Sequence, residues 1–366
     1  MLGRFGARFE LLRPRSLART SKSVDALMGN VRDLRQAVKA LASGQQRSDD
    51  IVATLTARVD ALAAEARRAN ETIAQLTARE AQLRAIIRAD VANVDALPTL
   101  PAVLDRPRIA AHVRAAIACV QLRLDPFPHA IVPSLFPADF YAALLRGIPP
   151  VELFEEKAAN KPYVNVPLTI APDYSRRVWN FMVYVVQRTL QPLLIDKFRD
   201  PLRDWIARNW PALASDPFAP PMEFNMADGR IMLRGRGYRI TPHRDPKWGF
   251  LTCILYLAHE HDSEEWGTQL YSVDDDGDAV GAAPHWIEPE RCRLVENVPF
   301  RPNTMLVLLN SKGAHGAYIP DDAEPADLRR YMYQFRIGPN AAAIARLTAM
   351  LAADRRPFWA GKTAMM

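Results

Sequence analysis

Gly237-Tyr238-Arg239-Ile240-Thr241-Pro242-His243-Arg244-Asp245-Pro246 sets an imidazole and a carboxylate two residues apart. In an extended segment, side chains at i and i+2 point to the same side, so His243 and Asp245 can reach one ion. A second histidine, His315, stands in Asn310-Ser311-Lys312-Gly313-Ala314-His315-Gly316, directly after the apolar run Thr304 to Leu309. Two histidines and one carboxylate on one face of an octahedral ion leave three positions open, a donor set that suits non-haem iron(II). Each residue alone has a plainer reading. His243 could be a polar strand-end residue, Asp245 a turn former before Pro246, and His315 a residue of a glycine-flanked loop. A chain with seven histidines can show one H-x-D by chance, so the surroundings must decide.

Those surroundings read as short strands. Apolar runs at Arg230 to Arg234, Gly249 to Leu257, Gln269 to Val273, Thr304 to Leu309 and Arg330 to Ile337 are separated by Gly, Pro and Asp turns. This spacing predicts an antiparallel sandwich or barrel rather than a parallel sheet. Thr252, Ile254 and Tyr256 share one face of their strand, as do Arg330, Met332 and Gln334, so both strands can line a common pocket. Arg329 points to the other side and is the alternative if the register slips by one residue. Upstream, residues 126 to 150 suggest a strand leading into a helix at Ala138 to Arg146, with Pro137 and Asp139 suited to its first turn. Residues 175 to 210 are helical in pattern, with Val178, Phe181, Met182, Val185, Leu190, Leu194 and Phe198 recurring every three or four positions. Those helices, with residues 211 to 228, are placed to build a lid.

With these pieces in order, the sequence resembles the iron(II)- and 2-oxoglutarate-dependent oxygenases, particularly the prolyl-hydroxylase-like group and its bacterial relatives. The matching run is Gly237 to Asp245, then Leu251-Thr252-Cys253-Ile254-Leu255-Tyr256-Leu257, Trp266-Gly267-Thr268-Gln269-Leu270-Tyr271, Arg301 to Leu308, His315-Gly316 and Arg330-Tyr331-Met332-Tyr333-Gln334-Phe335. It covers roughly residues 125 to 338. The resemblance implies an α+β chain whose main domain is a double-stranded β-helix, or jelly roll, with flanking helices. It makes His243, Asp245 and His315 the iron ligands. Arg330 and Tyr256 become the partners of the distal carboxylate of 2-oxoglutarate, with Thr252 and Gln334 beside them. Arginine suits that role because its fork donates two charge-assisted hydrogen bonds.

The implied reaction consumes O2 and 2-oxoglutarate, releases succinate and CO2, hydroxylates a substrate and admits ascorbate as a reductant. Because Asp245 is present, the ligand position that related halogenases open with glycine or alanine is filled. Two departures stand out: Trp266-Gly267 replaces a Gly-Gly pair, and Pro320-Asp321-Asp322-Ala323-Glu324-Pro325 lengthens the gap between His315 and Arg330 as a surface loop.

The substrate is not written in the sequence. A small metabolite or saccharide-linked molecule is favoured, since Arg234, Arg236, Arg239 and Lys247 near the ligands suit an anionic group, although the plain reading of these residues is a solvated rim. The alternatives are hydroxylation of a protein side chain and an inactive scaffold whose working part is its N-terminal segment. His259-Glu260-His261-Asp262 reads as a solvated loop, and His112, His129 and His285 have no matching neighbours.

That N-terminal segment carries heptads. Val24, Val31, Val38, Val52, Val59, Ile73, Ile87 and Val94 fall at a positions, with Leu27, Leu34, Leu41, Leu55, Leu62, Leu76, Leu83 and Leu97 at d. β-Branched a and leucine d residues favour a parallel two-stranded coiled coil, so a homodimer or higher oligomer through residues 24–97 is expected, against a helical hairpin folding on its own chain. Gly44 and the polar run after it divide the segment, with Ser48 or Asp49 as cap, and Pro98 and Pro101 end it.

The expected domains are a disordered basic tail (1–23), the coiled coil (24–97), the oxygenase domain (98–340) and a C-terminal helix or tail (341–366). The net charge of +6 is concentrated in that tail, where Arg4, Arg8, Arg13, Arg15, Arg19 and Lys22 face Glu10 alone. A broad basic face for nucleic acid is therefore not implied for the folded part, and contact with nucleic acid or anionic lipid is left to residues 1–23. Without an apolar run of spanning length or a secretory h-region, the chain is expected to be cytoplasmic. Cys119, Cys253 and Cys292 lack metal or redox spacing and read as reduced thiols, with Cys253 buried in a strand.

Overall fold

The computed structural model describes residues 15–41, 46–155, 162–216, 218, 222–246, 248–276 and 285–359. It divides into two compact units, Met1–Ala85 and Ile86–Met366.

The first unit is built on α1 (Arg15–Leu41) and most of α2 (Gln46–Asn93). Residues 15 to 23, expected as part of a disordered tail, are the first turns of α1; the basic residues of 1–14 lie outside the described residues. Helix α2 begins at Gln46, so Ser48 and Asp49 fall inside its first turn rather than capping it. It ends at Asn93 and continues as a single 3₁₀ turn, Val94–Ala96, which cuts the heptad register short of Pro98. Val24 and Val31 on α1 and Val59 and Ala66 on α2 are buried, so part of the apolar seam is covered within one chain. Farther along, the d residues Leu76 and Leu83 are 48% and 49% exposed.

In the second unit the alternation seen around Tyr256 becomes two facing sheets. The larger runs β1 (His129–Val132), β9 (Thr304–Leu309), β5 (Leu251–Tyr256), β11 (Arg330–Pro339), β3 (Phe224–Arg234), β2 (Tyr163–Asn165) in spatial order. The smaller runs β7 (His285–Trp286), β4 (Arg239–Arg244), β10 (Ala314–Tyr318), β6 (Thr268–Val273), β8 (Cys292–Val298). All pairings are antiparallel. From β3 to β6 the chain alternates between the sheets, and it does so again from β8 to β11.

Period two explains the central strands. Every residue of β5 and β9 is buried because both faces are covered. Cys253, Leu255, Met305 and Val307 join the core that includes the helices, while Ile254, Tyr256, Leu306 and Leu308 fill the space between the sheets with Leu270, Val298 and Phe300. Helix α3 (Arg106–Cys119) precedes β1, and α4 spans Ala138–Arg146 as the sequence predicts.

The helices of the segment expected as a lid pack into the core. Helix α5 (Asp173–Val185) buries Val178, Trp179, Met182 and Val185, and the Trp179 ring lies 5.2 Å from Tyr333 of β11. A π-helical turn, Val186–Leu190, follows directly before Gln191-Pro192, where proline brings no N–H to the ladder. Helices α6 (Gln191–Lys197) and α7 (Arg199–Asn209) continue the same core through Leu194, Leu202 and Ile206. Burying side chains of this size stabilises by about 1.5–3 kcal/mol each, so these helices hold the larger sheet, which faces the strands bearing the two histidines. No described helix is long and apolar enough to cross a membrane.

Trp266 adopts a left-handed φ of +60°, a backbone conformation glycine takes without strain, which keeps the turn despite the bulky side chain. Its neighbour cannot vary: a Cβ on Gly267 would lie 1.7 Å from the Val298 carbonyl oxygen. The Pro320–Pro325 stretch is a surface loop pinned by Ala323, which is buried against Tyr238 and Ile319.

Candidate metal centre

His243 lies in β4 and His315 in β10, directly opposite one another in the pairing register. Their rings are 4.3 Å apart. The register shifts by one residue just beyond, next to Pro242, which is where a strand tolerates a residue without an N–H. Asp245 follows the end of β4 on the same side as His243. Its Oδ1 is 3.9 Å from His243 Nε2 and its Oδ2 is 3.7 Å from His315 Nε2. One donor atom from each of the three residues lies within 4.8 Å of the others, and all three residues are buried. Among the described residues this is the one His/Cys/Asp/Glu group so arranged. His259 and His261 are exposed.

The partners of each ligand prepare it. His243 Nδ1 is 2.9 Å from the Thr241 carbonyl oxygen; donation there fixes the tautomer and leaves Nε2 with its lone pair. Thr252 Oγ1 donates to Asp245 Oδ2 at 2.6 Å and accepts from Asn310 Nδ2 at 2.8 Å. The Thr252 hydroxyl thus orients the carboxylate. Arg336 Nη2 donates to Asp245 Oδ1 at 2.8 Å, and its Nη1 is held by Asp228.

Burial alone would raise the Asp245 carboxyl, but Arg336, His315 and His243 outweigh it and hold the group far below the ordinary carboxylate range. Burial, reinforced by His243, pushes His315 down to about 3 against the pull of Asp245. Both imidazole and carboxylate are therefore in their metal-binding protonation states at neutral pH.

A pH dependence follows for the metal-free chain. His315 is protonated near pH 6.5 when unfolded but only near 3 when folded, so its contribution is fully present above 6.5 and fades as pH falls toward 3. At roughly 1.4 kcal/mol per pH unit, about 5 kcal/mol is lost across that window. Asp245 adds its own loss only below about pH 4. Urea unfolding at stepped pH should show the decline beginning near 6.5, and His315→Gln should flatten it; an unchanged slope in that variant refutes the assignment.

The ligands open onto a cavity of about 280 Å³ between the two sheets. From the larger sheet Asp228, Arg230, Met232, Arg234, Ile254, Gln334 and Arg336 reach it; Tyr238, Thr268 and Gly316 line the facing side. Gln334 therefore stands where its strand parity predicts. Tyr256 is buried between the sheets, and burial pushes its phenol up to about 12, so it remains a donor. Arg330 is buried and Arg329 is exposed, so the strand keeps the expected register. The Arg330 guanidinium, however, lies over the Phe300 ring and its Nη1 donates to the Ser263 carbonyl at 2.7 Å. It is not among the residues that line the cavity. Arg234, expected on a solvated rim, is buried and lines it; Arg239 is exposed and Lys247 lies outside the described residues.

Three contributors escape a reading of the sequence. Arg336 has the parity of Gln334 and Met332, a signal present but not followed to the end of the strand. Asp228 turns inward at a bulge where its φ is +56° and the β3–β11 register shifts, which no local pattern announces. Trp286, opposite His243 in register and 51% exposed, sets its ring 5.0 Å from the His243 ring.

No family model and no curated protein matches the chain. Among solved structures it is similar to a prolyl-4-hydroxylase from Pseudomonas putida at 14% identity, over 64% of this chain and 100% of that one, with a TM-score of 0.33. It is similar to HygX from Streptomyces hygroscopicus, solved with nickel, 2-oxoglutarate and hygromycin B, at 13% identity over 58% and 83% of the two chains (TM-score 0.35). The non-heme alpha-ketoglutarate-dependent carbocyclase SnoK from nogalamycin biosynthesis gives 10% identity over 63% and 86% (TM-score 0.37).

Proposed function

We propose that the chain is an iron(II)- and 2-oxoglutarate-dependent oxygenase that hydroxylates a small molecule, on a double-stranded β-helix whose strands alternate between two sheets. The observation that carries this reading is the buried His243–Asp245–His315 group opening onto a cavity between the sheets. Its donor set, two imidazoles and one carboxylate, suits non-haem iron(II) and leaves positions for further ligands. Buried donors without a protein partner line this cavity, Thr268 Oγ1 and the Arg234 Nε and Nη1 among them, and suit an anionic co-substrate.

When bound, iron(II) and 2-oxoglutarate supply O2 activation, with one oxygen atom going to the substrate C–H bond, the other to succinate, and CO2 released. The chain's residues do the rest. His243 and His315 present fixed lone pairs, Thr252 and Arg336 hold the plane of Asp245, and the walls at Met232 and Ile254 exclude bulk water. Trp286 and the hydrogen-bonded Asp228–Arg230 pair also line the cavity. The heptad positions Leu76 and Leu83, left exposed, support self-association of α2 with a second copy.

Anaerobic loading with iron(II), followed by 2-oxoglutarate and O2, should yield succinate dependent on both iron and 2-oxoglutarate. Succinate no higher than in the metal-free control would sink the reading.

A further inference from the structure

We propose that Arg234, on the strand that opens the larger sheet, is the cation that takes the distal carboxylate of the dicarboxylate co-substrate, with the hydroxyls of Tyr256 and Thr268 as its neutral companions. This rests on the 2-oxoglutarate reading and departs from the residue that the sequence offers for the role, Arg330.

The two arginines face each other across the β3–β11 pairing, so either strand could supply the charge. Their guanidinium groups go different ways. Arg234 lines the cavity that holds the three ligands, 4.6 Å over the Tyr238 ring. Its charge also reaches the Tyr256 phenol. Arg330 is committed to the Ser263 carbonyl and the Phe300 ring, and the charges it feels are Asp262 and Glu265.

Arg234 is buried, yet its Nε and Nη1 have no hydrogen-bond partner. A buried cation without an anion is costly, and is retained where something else completes it. Two of the Arg330 nitrogens are also unpartnered, but they lie away from the cavity. Thr268 lines the same cavity as Arg234, while Tyr256 lies outside that lining, in the packed cluster between the sheets. Tyr256 Oη and Thr268 Oγ1 are buried without partners; Thr268 lies close enough to ease the Tyr256 proton, but no hydrogen bond of ordinary geometry closes between them. One guanidinium fork and two hydroxyls match the acceptor sites of a single carboxylate. The apolar wall of Met232 and Ile254 lies on the way to the ligands and suits the methylenes of a short dicarboxylate.

Calorimetric titration of the full-length nickel(II)-loaded chain separates the possibilities. The two probes are 2-oxoglutarate and 2-oxopentanoate, which keeps the 2-oxo acid end and lacks the distal carboxylate. Wild type should prefer 2-oxoglutarate. Arg234→Met should weaken 2-oxoglutarate about 10- to 100-fold, as loss of a charge-assisted pair does, and leave 2-oxopentanoate within about threefold. Arg330→Met should keep the wild-type preference. If Arg330→Met erases the preference and Arg234→Met retains it, the assignment to Arg234 is overturned while the co-substrate reading stands. If wild type binds neither acid, the co-substrate reading fails and takes this assignment with it. Should Arg234→Met lose its folded circular dichroism, Arg234→Lys is read instead: reduced selectivity supports the proposal, and undiminished selectivity overturns it.

Discussion

Alanine in place of His243 is expected to abolish iron-dependent succinate formation while leaving the fold intact. The imidazole contributes one of three donors, and its Nε2 is already aimed by the Thr241 carbonyl. Loss of a mere supporting partner of a ligand costs 10- to 100-fold in metal affinity or activity, so loss of the donor itself should exceed about 100-fold. His315→Ala should match it because the two rings face each other across β4 and β10. His112, exposed and bonded only to the Ser134 carbonyl, provides the contrast: His112→Gln should retain full turnover. Metal titration followed by calorimetry distinguishes the causes, since His243→Ala should lose stoichiometric binding of a dication with an unchanged thermal transition in EDTA. Wild-type dication binding in that variant would remove His243 from the centre.

What the sequence made legible is what local pattern controls. Thr304 to Leu309 and Ala138 to Arg146 coincide with β9 and α4 because strand alternation and helix start signals are written within a few residues. The i, i+2 rule brought His243 and Asp245 to one side before any coordinates were needed. Other elements have no such signature. Ala314-His315-Gly316-Ala317-Tyr318 lacks β-branched residues and is a strand only because β4 and β6 pair with it on either side. Cys292 to Val298 is an edge strand with Leu294 and Val295 exposed, so hydrophobic alternation is absent. The direction of a guanidinium is less legible still. Arg234 and Arg330 share a face of the sheet, and only packing against Tyr238 or Phe300 separates the directions of their guanidinium groups. The heptads were legible as helix but not as to partner, since burial of Val24, Val31, Val59 and Ala66 is met within one chain.

The second large effect belongs to a residue outside the ligand set. Arg336→Met is expected to destabilise the metal-free chain by about 3–5 kcal/mol, the usual cost of removing one partner from a buried ion pair. Arg336 donates to Asp245 Oδ1 and is held in turn by Asp228, and its methylenes occupy space that methionine can refill. Without the guanidinium, Asp245 keeps only the Thr252 hydroxyl as donor in a site with almost no solvent contact. A bound dication supplies the missing positive charge, so the deficit should shrink when metal is present: the variant gains more stability from nickel(II) than wild type does. Coupling gives a sharper check. Asp245→Asn removes the charge that Arg336 compensates, and the double variant should be more stable than the sum of the two single losses allows. Chemical denaturation in EDTA and in saturating nickel(II) measures all of these. An Arg336→Met chain as stable as wild type in EDTA would mean that Asp245 is carried by Thr252 and solvent, and that the Asp228–Arg336 pair belongs to the substrate side of the cavity instead.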